Sequence, residues 1–73
     1  MNDRMVIDTM MEYGGSFVRK LGAAALVADP ENLRKIKNAW PDYWAQYGRM
    51  AKQISEVERQ ASAKQNNNNN NIK

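Results

Sequence analysis

The sequence predicts an all-α fold, a small helical bundle of three to four helices with a long C-terminal helix. Apolar residues recur every three or four positions, which is the period of a helix and not of a strand. Gly14-Gly15, Pro30 and Pro41 divide the chain into segments of helical length. The 73 residues allow one domain with a small core, and without cysteine no disulfide can reinforce it.

The first two helices are predicted near residues 3–13 and 17–28. Their apolar sides are formed by Val6, Ile7, Met10, Met11, Phe17, Val18, Leu21, Ala25 and Ala28. Gly14 and Gly15 together cost about 2 kcal/mol inside a helix relative to alanine, which predicts a break between the two helices. A nearly continuous helix across the glycines is the alternative. Ser16 follows the break and is the predicted N-cap of the second helix.

A third helix is predicted near residues 30–39. Asp29 can accept hydrogen bonds from the free amides of the first turn, and Pro30 suits the first helical position. An acidic residue, Glu31, follows in the first turn, where the helix dipole favours negative charge. Leu33, Ile36 and Trp40 form the predicted inner face. The helix must end or kink at Trp40, because Pro41 cannot donate an amide hydrogen bond.

The fourth helix is predicted near residues 41–65, about 37 Å long. A compact domain of this size has a diameter of about 29 Å, so the C-terminal turns should extend beyond it. An apolar seam nevertheless continues to the end of this helix: Tyr43, Tyr47, Met50, Ile54, Val57 and Ala61. This predicts a homo-oligomer whose interface contains Met50, Ile54, Val57 and Ala61. The alternative is a monomer whose first helix covers the seam.

Residues 1–65 are therefore predicted to form a single helical domain, and residues 66–73 a disordered Asn-rich tail. Six consecutive asparagines cannot bury enough apolar surface to offset their ordering entropy. The longest apolar run, Leu21 to Ala28, is much shorter than the roughly 20 residues that a membrane-spanning helix needs. Asp3 and Asp8 occupy the segment where a secretory signal would be positively charged. We expect a cytoplasmic protein without a membrane-bound segment.

Catalysis is not expected from these residue types. The chain has no histidine and no cysteine, so it has neither the commonest general base nor a thiolate nucleophile. Asp3, Asp8 and Glu12 lie on one predicted helix, but paired catalytic carboxylates normally face each other across a cleft that a chain this small can scarcely form. No calcium-loop spacing is present. The sequence predicts a non-enzymatic protein with no cofactor and no metal site.

Aromatic and basic residues are the candidate partner-binding residues. On a continuous helix, the four aromatic residues would lie within an arc of about 100°: Trp40, Tyr43, Trp44 and Tyr47. They are either the core and its rim, or a binding hot spot of which one or two rings reach the surface. Arg34, Lys35 and Lys37 lie close by in the sequence and form either a solvated face or a site for a phosphate group or an acidic protein.

The arrangement of these motifs resembles short uncharacterised all-helical proteins of bacteriophages and prophages. The resemblance covers about residues 13–50 and includes Phe17-Val18, the Ala28 to Asn32 segment, Ala39 to Trp44, and Tyr47. It implies an accessory protein that binds a host protein, a host signalling molecule or another phage component. The hypothesis is a host-defence antagonist that binds an effector or sequesters a nucleotide. Two alternatives are a nucleic-acid-associated accessory protein and a structural piece of a phage assembly.

Overall fold

The computed structural model describes the backbone of residues 2–72 and the side chains of residues 2–61. This part of the chain forms four α-helices, which confirms the all-helical class. They are α1 (Asp3–Tyr13), α2 (Ser16–Leu26), α3 (Pro30–Ala39) and α4 (Pro41–Ile72). Helices α1, α2 and α3 pack with the N-terminal half of α4, and we call this part of the molecule the body.

Helices α1 and α2 form a closely packed pair and not one rod. Gly14 and Gly15 both have extended backbone angles, and the Gly14 amide donates to the Met10 carbonyl to close α1. Gly22 lies where α2 meets α1. A Cβ atom there would lie 2.9 Å from Met11 Cγ and 3.1 Å from Met10 Cβ, so the missing side chain sets how closely the two helices approach.

Two predictions about α2 are wrong. Ser16 is the first helical residue and not the N-cap. Gly15 takes the extended N-cap conformation instead, so no side chain caps this end of the helix. The helix also ends at Leu26, two residues before its predicted end. Asp29 precedes a proline, which disfavours helical backbone and favours the extended conformation seen there. Helix α2 therefore ends before this extended residue, which is the N-cap of α3.

Helix α3 begins with the predicted capping arrangement. The Asp29 carboxylate accepts a hydrogen bond from the Asn32 amide at 2.9 Å, and Pro30 occupies the first helical turn. At the other end, the Trp40 amide still donates to the Ile36 carbonyl at 3.0 Å. Helix α4 begins at the next residue, so α3 and α4 are joined through Trp40 alone. This junction holds Trp40 in a fixed place between two helices.

The core is formed mainly by α1, α2 and α4. Its buried side chains include Val6, Ile7, Met10, Val18, Leu21, Ala25, Tyr47 and Ala51. Met10 is fully buried and lies in the central cluster with residues of α2 and α4. Helix α3 contributes no buried residue; Leu33 and Ile36 are half-buried, and Ile36 packs against the core. Phe17 is predicted on the inner face of the second helix, but it is 55% exposed.

Helix α4 is much longer than the body. Its 32 residues correspond to about 48 Å. The molecule measures 52 × 23 × 18 Å, and its radius of gyration is 15.9 Å, compared with about 11 Å for a compact domain of this length. The helix continues to Ile72, past the predicted end at Gln65. The predicted disordered tail, residues 66–73, lies outside the residues whose side chains are described.

Candidate interaction surface

Three aromatic rings form an exposed cluster where α2 meets the junction of α3 and α4. Phe17 stacks edge-to-face on Trp40, with ring centroids 5.8 Å apart, and lies 6.1 Å from the ring of Tyr43. Phe17 is 55% exposed and Trp40 is 38% exposed, whereas Tyr43 is half-buried against the core. We call Phe17, Trp40 and Tyr43 the aromatic patch. Two of its rings present apolar surface to the outside.

The local sequence explains why these rings meet. Phe17 lies in the first turn of α2, on the flank of the buried stripe that contains Val18 and Leu21. Trp40 is held by the short junction between α3 and α4, and Tyr43 lies in the first turn of α4. All three rings are attached to helix ends and not to long loops. The aromatic patch is therefore a pre-organised surface, which lowers the entropy cost of binding.

Trp44 has a different role, because its indole is tied to Asp3. Trp44 Nε1 donates a hydrogen bond to Asp3 Oδ1 at 3.1 Å, and Lys37 Nζ donates to Asp3 Oδ2 at the same distance. Lys37 Nζ also lies 6.0 Å from the centroid of the Trp44 ring. One carboxylate at the start of α1 thus connects α3 and α4. We call Asp3, Lys37 and Trp44 the Asp3 tie.

The Asp3 tie favours the ionised carboxylate. The hydrogen bond from Trp44 lowers the pKa of Asp3 below its usual value of 3.8, and the hydrogen bond and positive charge of Lys37 lower it further. Partial burial of the carboxylate opposes this shift. The Lys37–Asp3 side chains are each 39% exposed, so water screens the pair to a considerable extent. The tie is a structural contact at the edge of the body.

The predicted basic residues are not gathered into one site. Lys37 forms an ion pair with Asp3. On the exposed side of α3, Lys35 Nζ lies 3.9 Å from Glu31 Oε2. Arg34 is exposed and lines a shallow groove of about 390 Å³ together with Asp3, Lys37 and Asn38. The carboxylate of Asp3 in this groove reduces its attraction for an anion. Arg34 and Lys35 therefore lie near the aromatic residues in the sequence but do not form a concentrated positive site.

The structure divides the predicted aromatic set into three environments. Trp40 and Tyr43 belong to the aromatic patch, Trp44 belongs to the Asp3 tie, and Tyr47 is buried in the core with only 7% exposure. Sequence analysis missed Phe17 as a surface residue, because its spacing also fits the buried stripe of α2. It also missed Asp3 as a partner of Trp44. The available signal for Phe17 was its position at the edge of the apolar stripe of α2, one residue before Val18.

The residues predicted for the oligomer interface lie along one side of α4. Met50 is half-buried against the core, Ile54 is half-buried, Val57 is 64% exposed and Ala61 is exposed. We call these four residues the α4 stripe. Gln53, Ile54, Val57 and Glu58 line a shallow groove of about 220 Å³ on this side. The stripe is covered by the body at its N-terminal end and becomes open toward its C-terminal end.

The described surface offers shallow grooves, and one of about 310 Å³ between α1 and α4 has Asp8, Thr9, Ser55 and Glu58 among its lining residues. Within the described residues, no three acidic side chains are grouped so that they could hold a metal ion. No helix in that part of the chain is both long and apolar enough to cross a membrane. What the described surface presents chemically is apolar contact area on the aromatic patch and on the α4 stripe.

No protein-family model matches this chain, and comparison with curated proteins and with solved structures gives no significant match.

Proposed function

We propose that this chain is a non-enzymatic interaction protein, active as a homo-oligomer, which binds a partner protein through its aromatic patch. The observation that carries the proposal is the exposure of Phe17 and Trp40, two large rings fixed against each other at 5.8 Å. Tryptophan and other large side chains that enter a partner's pocket supply most of the energy in many interfaces. The patch supplies such anchors without needing to reorganise.

The partner chemistry that fits this surface is a protein with an apolar pocket or groove. A phosphate-bearing ligand is less favoured, because Lys37 is already neutralised by Asp3 and only Arg34 remains exposed in the adjoining groove. In line with the resemblance to phage proteins, we place this partner in the cytoplasm of a bacterial host. Within that setting, the function that we favour is antagonism of a host-defence effector by direct binding.

The experiment compares four forms of the full chain: the wild type, Phe17→Ala, Trp40→Ala and Leu26→Ala. Leu26 is a matched control, since it is an exposed large apolar residue on the same helix as Phe17 but at the opposite end. Each form is immobilised and exposed to a bacterial cytoplasmic extract, and retained proteins are identified by mass spectrometry. Affinity for each candidate is then measured by calorimetry with the purified pair.

We expect a true partner to bind the wild type and Leu26→Ala equally. Loss of either patch ring should weaken its binding by about 2 kcal/mol, roughly thirtyfold. Circular dichroism establishes that all four forms are folded. If every retained protein binds Phe17→Ala and Trp40→Ala as tightly as the wild type, the aromatic patch is not the binding surface and the proposal fails.

A nucleic-acid-associated function is the second candidate, and the observation that favours it is the outer side of α4. Arg49, Lys52 and Arg59 are exposed there, although Glu56 lies among them. Phosphate contacts release counterions, so this function requires binding that weakens steeply as the salt concentration rises. Fluorescence anisotropy with a labelled DNA duplex at about 50 and 200 mM salt tests it. Unchanged anisotropy at both salt concentrations contradicts this candidate.

A further inference from the structure

Helix α3 differs from the other three helices because it takes no part in the buried core. Among the described residues, every buried side chain lies on α1, α2 or α4. The most enclosed apolar residues of α3, Leu33 and Ile36, are only half-buried. The central cluster is likewise built from side chains of the other three helices. Helix α3 can therefore leave its place without opening the buried core.

The contacts that hold α3 against the other helices are partly open to water. Ile36 packs against the core cluster from its rim. Lys37 Nζ donates a hydrogen bond to Asp3 Oδ2 at 3.1 Å, in an ion pair whose side chains are each 39% exposed. At the C-terminal end of α3, the ring of Trp40 stacks on Phe17 and is 38% exposed. Contacts of this kind stabilise less than buried ones, because water competes for them.

Helix α3 is also too short to stay helical by itself. It has 10 residues, and helices shorter than about 12 residues are marginal in water without tertiary contacts. Its own exposed pair, Lys35 and Glu31, adds little to its stability, since Nζ and Oε2 are 3.9 Å apart. Once α3 separates from the other helices, it therefore loses its backbone hydrogen bonds. Separation and melting of this helix are one event.

Trp40 connects the state of α3 to the aromatic patch. Its backbone angles, φ −131° and ψ 62°, are not helical, so its position depends on the helices on both sides. The Trp40 amide donates to the Ile36 carbonyl at 3.0 Å, and the Trp40 carbonyl accepts from the Trp44 amide at 3.3 Å. Melting of α3 removes the first of these bonds. The ring of Trp40 is then free to leave Phe17, and the aromatic patch is no longer pre-organised.

We infer that α3 is a detachable flap, which opens while α1, α2 and α4 stay folded, and that the contact between Lys37 and Asp3 holds it closed. Opening separates Trp40 from Phe17 and so dismantles the aromatic patch. The consequence for binding rests on the proposed function of the patch. A partner that uses Trp40 binds only the closed form and, by thermodynamic linkage, opposes the opening of α3.

The first experiment measures amide hydrogen exchange of the full chain by NMR, at several urea concentrations below the unfolding transition. Local opening exposes little surface, so its equilibrium hardly changes with urea, whereas global unfolding responds steeply. We expect the amides of Ile36 and Lys37 to have protection factors at least about tenfold lower than those of Met10 and Ala51, with little dependence on urea. Equal protection and equal urea dependence in the two groups would overturn the inference.

The second experiment tests the contact between Lys37 and Asp3 with matched variants. Lys37→Ala removes this contact, whereas the control, Lys35→Ala, removes a pair with Glu31 that lies within α3. Both variants lose one positive charge from the same helix and gain the same helix propensity. We expect Lys37→Ala to lower the protection of the α3 amides about threefold, and Lys35→Ala to change it less than about 1.5-fold. Equal effects of the two variants would overturn the role of Lys37.

The third experiment tests the connection to the aromatic patch and separates this inference from the proposed function. Phe17→Ala removes the ring on which Trp40 stacks, and Tyr13→Ala is the control, because Tyr13 is an aromatic residue of α1 with a similar exposure of 53%. If opening breaks the stacking, Phe17→Ala lowers the protection of the α3 amides about threefold or more, and Tyr13→Ala leaves it unchanged.

The two proposals can fail separately. If Phe17→Ala leaves the protection of α3 unchanged, the patch does not depend on the flap, and the inference is overturned while the proposed binding function stands. If Phe17→Ala exposes α3 to exchange but binds every retained protein as tightly as the wild type, the flap stands and the proposed function fails. The exchange measurements need no partner, so an unidentified partner does not affect them.

Discussion

At the scale of single residues, Asp3 contacts two helices that are distant from it in the sequence. It lies in the first turn of α1, where a negative charge is favoured by the helix dipole. Its two oxygens also accept hydrogen bonds from Lys37 and Trp44, which lie 34 and 41 residues away in the sequence. The ionised carboxylate therefore stabilises both the start of α1 and its attachment to α3 and α4.

The Asp3 tie predicts a stability that depends on pH. The pKa of Asp3 is lower in the folded protein than in the unfolded chain, so its contribution is complete well above pH 3.8 and is lost as the pH falls through the folded-state pKa. We expect Asp3→Asn to lower the free energy of unfolding by about 1 kcal/mol at neutral pH, allowing for solvent screening. The difference from the wild type should therefore shrink progressively as the pH falls below 3.8. Urea unfolding followed by tryptophan fluorescence measures it.

Asp8→Asn provides the control for this prediction. Asp8 is an exposed carboxylate on the same helix, and its hydrogen bond to Arg4 is a surface contact. Its replacement should change the free energy of unfolding by less than about 0.5 kcal/mol. An equal loss in both variants, or a loss in Asp3→Asn that persists in acid, would show that the tie to Trp44 and Lys37 contributes little.

At the scale of the elements, the N-termini of α2 and α3 are capped differently. Asp29 caps α3 through its side chain, whereas α2 begins after a glycine and without a side-chain cap bond. Both connections carry a residue type that favours helix N-termini, Ser16 in one case and Asp29 in the other. The backbone conformation decides which of these two residues acts as an N-cap. An N-cap must be extended, and Ser16 is already helical.

This difference predicts unequal effects of two similar substitutions. Asp29→Ala removes the acceptor of the Asn32 amide and should lower the free energy of unfolding by about 1 kcal/mol. Ser16→Ala should change it by less than about 0.3 kcal/mol, because alanine has a high helix propensity and no cap bond is lost. Thermal unfolding followed by circular dichroism compares them. A larger loss in Ser16→Ala than in Asp29→Ala would mean that Ser16 caps α2 in solution.

At the scale of the whole molecule, a small core stabilises a long helix. The buried side chains lie between Val6 and Ala51, whereas α4 extends far beyond them. A domain of this length has a stability of only about 4–11 kcal/mol. Met10 lies at the centre of that core, in contact with α2 and α4, and is completely buried. The stability of the body should therefore depend strongly on this one side chain.

Met10→Ala tests that dependence. Removing a buried methionine leaves a cavity and should lower the free energy of unfolding by about 2–5 kcal/mol, a large part of the total. Met10→Leu keeps the volume and should cost less than about 1.5 kcal/mol. Urea unfolding followed by circular dichroism measures both. If the two variants are equally stable, the centre of the core lies elsewhere.

The sequence by itself determined the features that depend on neighbouring residues. The helical period of the apolar positions predicts the all-helical class, and the Asp29-Pro30 pair predicts the start of α3, because capping acts within one helical turn. Pro41 predicts the end of α3 at Trp40, since a proline in the interior of a helix removes an amide donor and clashes with the preceding turn. These signals keep their meaning without knowledge of the rest of the chain.

Only the tertiary structure decided which apolar residues of each amphipathic helix are buried. Phe17 and Val18 are adjacent and both apolar, yet Val18 is in the core and Phe17 is on the surface with Trp40. The four aromatic residues near Pro41 likewise divide among the patch, the Asp3 tie and the core. Burial depends on which helices pack together, and those contacts join residues dozens of positions apart. A period along one helix cannot specify them, because several faces of that helix satisfy the same period.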